Sequence, residues 1–305
     1  MSFSQPGRKP PAVGILLVLV SAIAFAIGPT AAKLAFDNGS NILTVVTLRG
    51  AIGAALLALL IVSLRQGFLI SRLALRWCLA CGVFSALMVY GFIGSVAYIP
   101  ISVAVLIFFT HPIVIALLVH WRGGDRLTAR KLLLAFGAFA GLAMVLGPAF
   151  GNLEPTGIAL AALAATTICG AILCGARAQE FATSTQVNFY VTAMTGIVFA
   201  ILTSVLSAWA LPSNTVGWLG IVGAGVGIAV GLLTFFAAFR YLSPVRATML
   251  SNFEPLLSIL FAAAILGERL QPPQWFGVAV MIGAIVLFEA SDRDARTAVS
   301  HPDLG

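Results

Sequence analysis

Apolar runs of membrane-crossing length, parted by short polar breaks, set the pattern of this chain. About 20 mostly apolar residues are needed to cross roughly 30 Å of hydrocarbon as a helix. On that ruler ten runs emerge, near 13–36, 41–63, 73–95, 98–119 and 131–149, then 156–178, 186–208, 215–239, 246–266 and 273–290. The runs are too long for barrel strands and lack their strict alternation, so helices are expected. The predicted fold class is therefore all-α integral membrane, with ten transmembrane helices. The breaks leave no room for an extramembrane domain.

Charge then orients the spans. With the N-terminus in the cytoplasm, fourteen of the seventeen basic residues fall on the inner side, from Arg8 and Lys9 to Arg293 and Arg296. Only Lys33 and Arg269 fall outside, and Arg49 lies within a span. That bias predicts both termini inside, with tails at 1–12 and 291–305; the membrane expected is a bacterial inner membrane. Arg8-Lys9 before an apolar stretch resembles a signal peptide. The run outlasts an ordinary signal core, however, and Lys33 follows without a convincing cleavage site, so a retained first helix is expected.

Composition narrows the class. The chain has 305 residues, 60% hydrophobic and 9% charged, against about 25% charged in soluble domains. A soluble enzyme is excluded, and four cysteines are too few for a disulfide scaffold. The net charge of +7 sits between spans, which removes the case for nucleic acid and leaves the lipid bilayer as the obligatory partner.

Sliding the chain by 143 positions brings its halves into register. Tyr98 meets Tyr241, His111-Pro112 meets Glu254-Pro255, Gly14 meets Gly157, and Gly124-Asp125-Arg126-Leu127 meets Gly267-Glu268-Arg269-Leu270. Five spans is an odd number, so residues 13–149 and 156–290 form two repeats of opposite topology. Inverted repeats are a transporter architecture with the substrate near the midplane. The Asn252-Phe253-Glu254-Pro255 run, the proline in the fourth span of each half and the Gly-acid-Arg-Leu turns resemble the drug/metabolite transporter superfamily in its EamA-type branch. Within that branch the chain looks most like the YddG-like amino-acid exporters. The resemblance implies a secondary carrier that exports small metabolites by alternating access, without a cofactor.

Several residues are candidates for the chemistry. Glu254 lies mid-span, where a carboxylate must face a cavity, pair or be protonated. It reads as a substrate-amine or proton site, or as a structural acid at a kink. Pro255 frees a carbonyl one turn earlier, and Ser251 and Asn252 stand ready for that carbonyl or for a ligand. Arg49, about nine residues into span 2, costs roughly 2.5–3.5 kcal/mol on insertion scales. A substrate carboxylate would suit its two parallel donors; the plainer reading is snorkelling. His111, the counterpart of Glu254, titrates near neutrality and is a proton-coupling candidate, or a neutral packing residue. Tyr90 is a cavity candidate beside Gly91. Gly28-Pro29 predicts a kink in helix 1, and Pro112 and Pro255 predict kinks that let helix ends move. The stripes Gly223, Gly227, Gly231 and Gly137, Gly141 read as helix packing.

Cys78-Leu79-Ala80-Cys81 has redox spacing but apolar surroundings, and His120 with Asp125 has the spacing of some acyltransferases without further support. Three histidines assemble no metal site. Two rival functions stand beside the exporter: a nucleotide-sugar or phosphate-ester carrier, which needs several buried cations, and an intramembrane lipid-modifying enzyme, which gives no reason for inverted halves. The expected protein is a carrier rather than an enzyme, with amino acids or related metabolites as cargo and protons as the candidate coupling ion.

Overall fold

The computed structural model describes residues 11–96, 98–99, 101–121, 129–147, 153–257, 261 and 271–300. Among them, helices α1 (Pro11–Asp37), α2 (Ile42–Ser63), α3 (Arg72–Val96), α4 (Ile101–Phe108), α5 (His111–Trp121) and α6 (Ala129–Leu146) make up the first half. The second half holds α7 (Pro155–Ala178), α8 (Ser184–Val205), α9 (Thr215–Ala238), α10 (Pro244–Leu250), a helical stretch at 253–257, and α11 (Pro272–Ser300). Seven helical segments are long and apolar enough to cross a membrane, and shorter apolar helices lie at Leu132–Leu146 and Pro272–Phe288. The ninth expected span is described only to residue 257 and at Phe261. Both Gly-acid-Arg-Leu turns, residues 1–10 and residues 301–305 lie outside the described residues. The stretch expected as a tail from 291 continues α11 as helix through Ser300.

Polar residues in the breaks start the helices. Asn41 caps α2 by accepting from the Thr44 N–H at 2.8 Å, and Thr183 with Gln186 forms a capping box on α8. Ser71 accepts from Ala74 N–H before α3, and Asn214 from Gly217 N–H before α9. These last two caps are 143 residues apart, the spacing that aligns the halves.

The halves interlock rather than lying side by side. α1 packs on α9, α3 on α7, α2 on α8, α6 on α11 and α5 on α10. Shifting by 143 carries individual contacts onto each other. The open side of Gly14 lies against Tyr241 and Leu242, and that of Gly157 against Tyr98 and Ile99. Lipid gives helices no hydrophobic reason to associate, so close backbone approach supplies the attraction. A Cβ added to Gly91 of α3 would stand 2.7 Å from the Leu160 carbonyl oxygen of α7, and one on Gly141 of α6 would stand 2.7 Å from Met281 N of α11.

The fourth and ninth spans, expected as continuous runs, are broken. α4 stops at Phe108 and α5 begins at His111; α10 stops at Leu250 and helix resumes at residue 253. A proline follows each break, Pro112 and Pro255, and cannot donate to the carbonyl four residues back. By contrast, α1 runs through Gly28-Pro29 without interruption.

Loops tie α2 to α8 at both ends. At one end Asn38 pairs with Asn214, Ser213 N–H donates to the Asn38 carbonyl at 2.9 Å, and Asn41 donates to the Ala208 carbonyl at 2.6 Å. At the other, Thr183 donates to Gln66 at 2.8 Å, Gln186 to the Gly67 carbonyl at 2.6 Å, and Tyr190 to the Phe68 carbonyl at 2.9 Å. Between these ends Thr47 and Thr203 share a hydrogen bond of 2.9 Å, and Gly50 meets Gly196.

Candidate functional site

Arg49 sits where α2 passes between its two neighbours. Val45 and Ile52 face α9, packing with Ile221 and Gly225. Gly50 faces α8 at Gly196, and Gly53 lies between Ile228 of α9 and Thr192 of α8. Helical spacing puts Arg49 on the arc between those faces, away from the exposed arc of Ala51, Ala55, Leu59 and Val62. Arg49 is partly exposed as a residue, and its guanidinium makes no hydrogen bond or ion pair among the described residues. A charge held inside a membrane bundle needs a ligand or water to meet it.

The α10 break brings three further candidates together. Ser251 donates its hydroxyl to the Thr248 carbonyl at 2.7 Å. The Ser251 carbonyl, which Pro255 leaves without its helical donor, accepts from Glu254 N–H at 2.8 Å. Those bonds satisfy the backbone of the break, so Asn252 and Glu254 are not consumed by it. Neither side chain forms a hydrogen bond among the described residues, although Asn252 is 7% exposed.

The first-half break is built alike but settled differently. Thr110 donates to the Ile107 carbonyl at 2.7 Å. His111 Nδ1 lies 3.0 Å from the Phe108 carbonyl, the one that Pro112 orphans. A carbonyl only accepts, so Nδ1 carries the proton. Phe108 and Phe109 flank the ring at 5.1 and 5.7 Å, and His111 is buried.

Tyr90 lies on the exposed stripe of α3 with Leu79, Val83 and Leu87, 55% exposed, and lines a groove of about 240 Å³ with Leu43, Gly94, Phe199 and Leu206. The matching stripe of α9, Val222, Val226 and Val230, is exposed as well. The residues of α3 that face α7 and α8, such as Cys81 and Gly82, lie on other arcs. Cys78, Cys81 and Cys174 are buried core.

Three polar residues escaped the sequence reading. Arg246, expected near the cytoplasmic surface, is 2% exposed in α10, all of whose residues are buried, and it is engaged with other groups. Asn188 and Thr192, on α8, are 0% and 3% exposed. The only available signal for Asn188 and Thr192 was their one-turn spacing on a helix with a polar stripe.

Comparisons with known proteins agree on a family. The sequence profile described as "EamA-like transporter family" matches twice, over residues 12–147 and 155–289. The uncharacterized transporter YwfM of Bacillus subtilis (strain 168) is 31% identical over 83 residues, 25% of this chain and 28% of YwfM. The uncharacterized transporter in the cobO 3'region of Sinorhizobium sp is 26% identical over 110 residues, 33% of this chain and 78% of that protein. The alignment thus spans little more than a quarter of YwfM. A solved crystal structure superposes with a TM-score of 0.80 at 17% identity, covering 93% of this chain and 99% of that one. This is likeness of fold.

Proposed function

Because this chain belongs to the EamA-like transporter family, and is a multi-pass membrane protein, we propose that it is a secondary exporter of amino acids or similar small metabolites working by alternating access. The observation that carries the cargo class is Arg49: a guanidinium on the inner arc of α2 without a partner among the described residues. Guanidinium binds carboxylate through two parallel hydrogen bonds and gains most where water is scarce. Glu254, also without a partner among the described residues, receives the ammonium end of the cargo or a coupling proton, and Asn252 offers its amide beside it. The two halves rock as inverted five-helix repeats around a midplane cavity, and the broken spans at Pro112 and Pro255 give the ends that move. Both termini lie in the cytoplasm of a bacterial cell.

A phosphate-ester cargo would call on several deep cations. Arg246 is a second buried guanidinium, but it is sealed within α10 and already engaged. A single carboxylate is the better match.

Proteoliposome uptake of a labelled amino-acid panel, with and without a pH gradient, tests the reading. Saturable uptake is expected for wild type, with loss of affinity in Arg49→Ala and loss of the gradient response in Glu254→Gln. If both variants transport and bind like wild type, those residue roles fall. If wild type moves no amino acid but takes up phosphate esters, the cargo class falls with them.

A further inference from the structure

The inner arc of α8 holds two buried acceptors that the protein leaves unanswered. Asn188 donates its Nδ2 to the Ser184 carbonyl at 2.8 Å, which fixes the amide's orientation and leaves Oδ1 facing away. Oδ1 has no partner, although Asn188 is 0% exposed. One turn on, the Thr192 hydroxyl is likewise without a partner at 3% exposure, and its Cγ2 would lie 3.3 Å from a Cβ on Gly53 of α2. Thr166, Thr195, Thr203, Thr234 and Thr248 all donate to a carbonyl three or four residues back. The Thr192 hydroxyl does not. Buried polar groups are almost always satisfied, and each exception needs an explanation.

The location supplies one. The shift that carries Gly14 onto Gly157 carries Arg49 onto Thr192, so the two stand at equivalent points of the paired helices α2 and α8. Arg49 offers only donors; Asn188 Oδ1 can only accept, and the Thr192 hydroxyl does both. The inner arcs of α2 and α8 therefore present opposite chemistry to a cargo passing between the halves.

We propose that Asn188 and Thr192 form a second cargo station, which takes the hydrogen-bond-donating head of the substrate, its ammonium group. The station rests on the amino-acid reading above. It is separate from Arg49 along the route: Thr192 packs level with Gly53, one turn further along α2, while helical side chains lean back toward the N-terminus. The cargo head thus meets Asn188 Oδ1 at a different stage from its carboxylate's contact with Arg49. In the present conformation the station is closed.

The test is uptake and competition in proteoliposomes by wild type, Asn188→Leu, Asn188→Asp, Thr192→Val and Thr192→Ser, each first checked for a monodisperse, folded state. Leu and Val keep volume and remove the acceptor; Asp and Ser keep one. The expected result is a KM for the amino acid raised about tenfold or more in the Leu and Val variants, as for loss of a charge-assisted hydrogen bond. Asp and Ser variants should recover most of it. Competition by the matching 2-oxo acid, which lacks the ammonium group, should be unchanged in all five. If the Leu and Val variants lose only thermal stability while KM stays at the wild-type value, the pair holds a structural water and the proposal is overturned. Equal weakening of amino acid and 2-oxo acid overturns it too. A wild type that moves no amino acid removes the exporter reading itself, whereas an active wild type with insensitive variants removes only this station.

Discussion

Pro112 takes away the donor for the Phe108 carbonyl, and the imidazole one residue earlier puts one back. A buried carbonyl left bare costs about 1–3 kcal/mol. His111→Leu should therefore lower stability by about that amount, read as a drop in melting temperature of the purified protein. Its uptake should keep the wild-type pH profile, since the ring's proton is committed to the backbone; a shifted profile would return His111 to proton coupling. The sequence announced that position but not its role, because whether an imidazole turns to its own helix or to a cavity depends on a rotamer. For Tyr90, depth along the span was readable, but which arc of α3 it occupies is set by the neighbours α7 and α8, and one sequence does not name neighbours. Arg49 stood out as a candidate since a guanidinium at that depth has few reasons to be there. Asn188 and Thr192 did not, since amides and hydroxyls are ordinary in spans.

The helices themselves were legible from run length alone, because the hydrocarbon thickness dictates it. What run length conceals is a break: α4–α5 and the two pieces around Ser251 are as apolar as any intact span, and only Pro112 and Pro255 hinted at them. Glycines carry the corresponding packing signal. Gly91 is pressed against α7, with the Ala164 nitrogen 3.1 Å from where a Cβ would stand, and backbone there has little room to retreat. Gly91→Ala should cost about 1–3 kcal/mol, measurable as a lowered melting temperature. Gly28 has nothing within 4 Å of its would-be Cβ. Gly28→Ala should thus be neutral or stabilising by about 0.5–1 kcal/mol, as expected for a helix interior. If that stabler variant also transports more slowly, the flexibility of Gly28 before Pro29 serves gating; unchanged transport would assign helix 1 a fixed role.

For the molecule as a whole, the hydrogen bonds at both ends of α2 and α8 constrain how a carrier of this shape can open. Loop 38–41 holds the α8–α9 loop at one end, and the α2–α3 loop holds Thr183, Gln186 and Tyr190 at the other. A shift of 143 carries the first pair of loops onto the second, so neither end is the weaker partner. With Thr47 and Thr203 joined between them, α2 and α8 form a wall closed along its length. Opening it would break several buried or half-buried hydrogen bonds, each worth about 0.5–1.5 kcal/mol net. The opposite side carries the two proline breaks, where the backbone is already interrupted. The cheaper motion is there, with the α2–α8 wall as the pivot. Cysteines at Asn38 and Asn214, and a second pair at Gln66 and Thr183, would let a short bifunctional reagent lock both ends of the wall at once. Uptake should continue in the doubly locked protein. If either lock stops uptake, and a cleavable reagent restores it, then this wall is a gate and the pivot lies elsewhere.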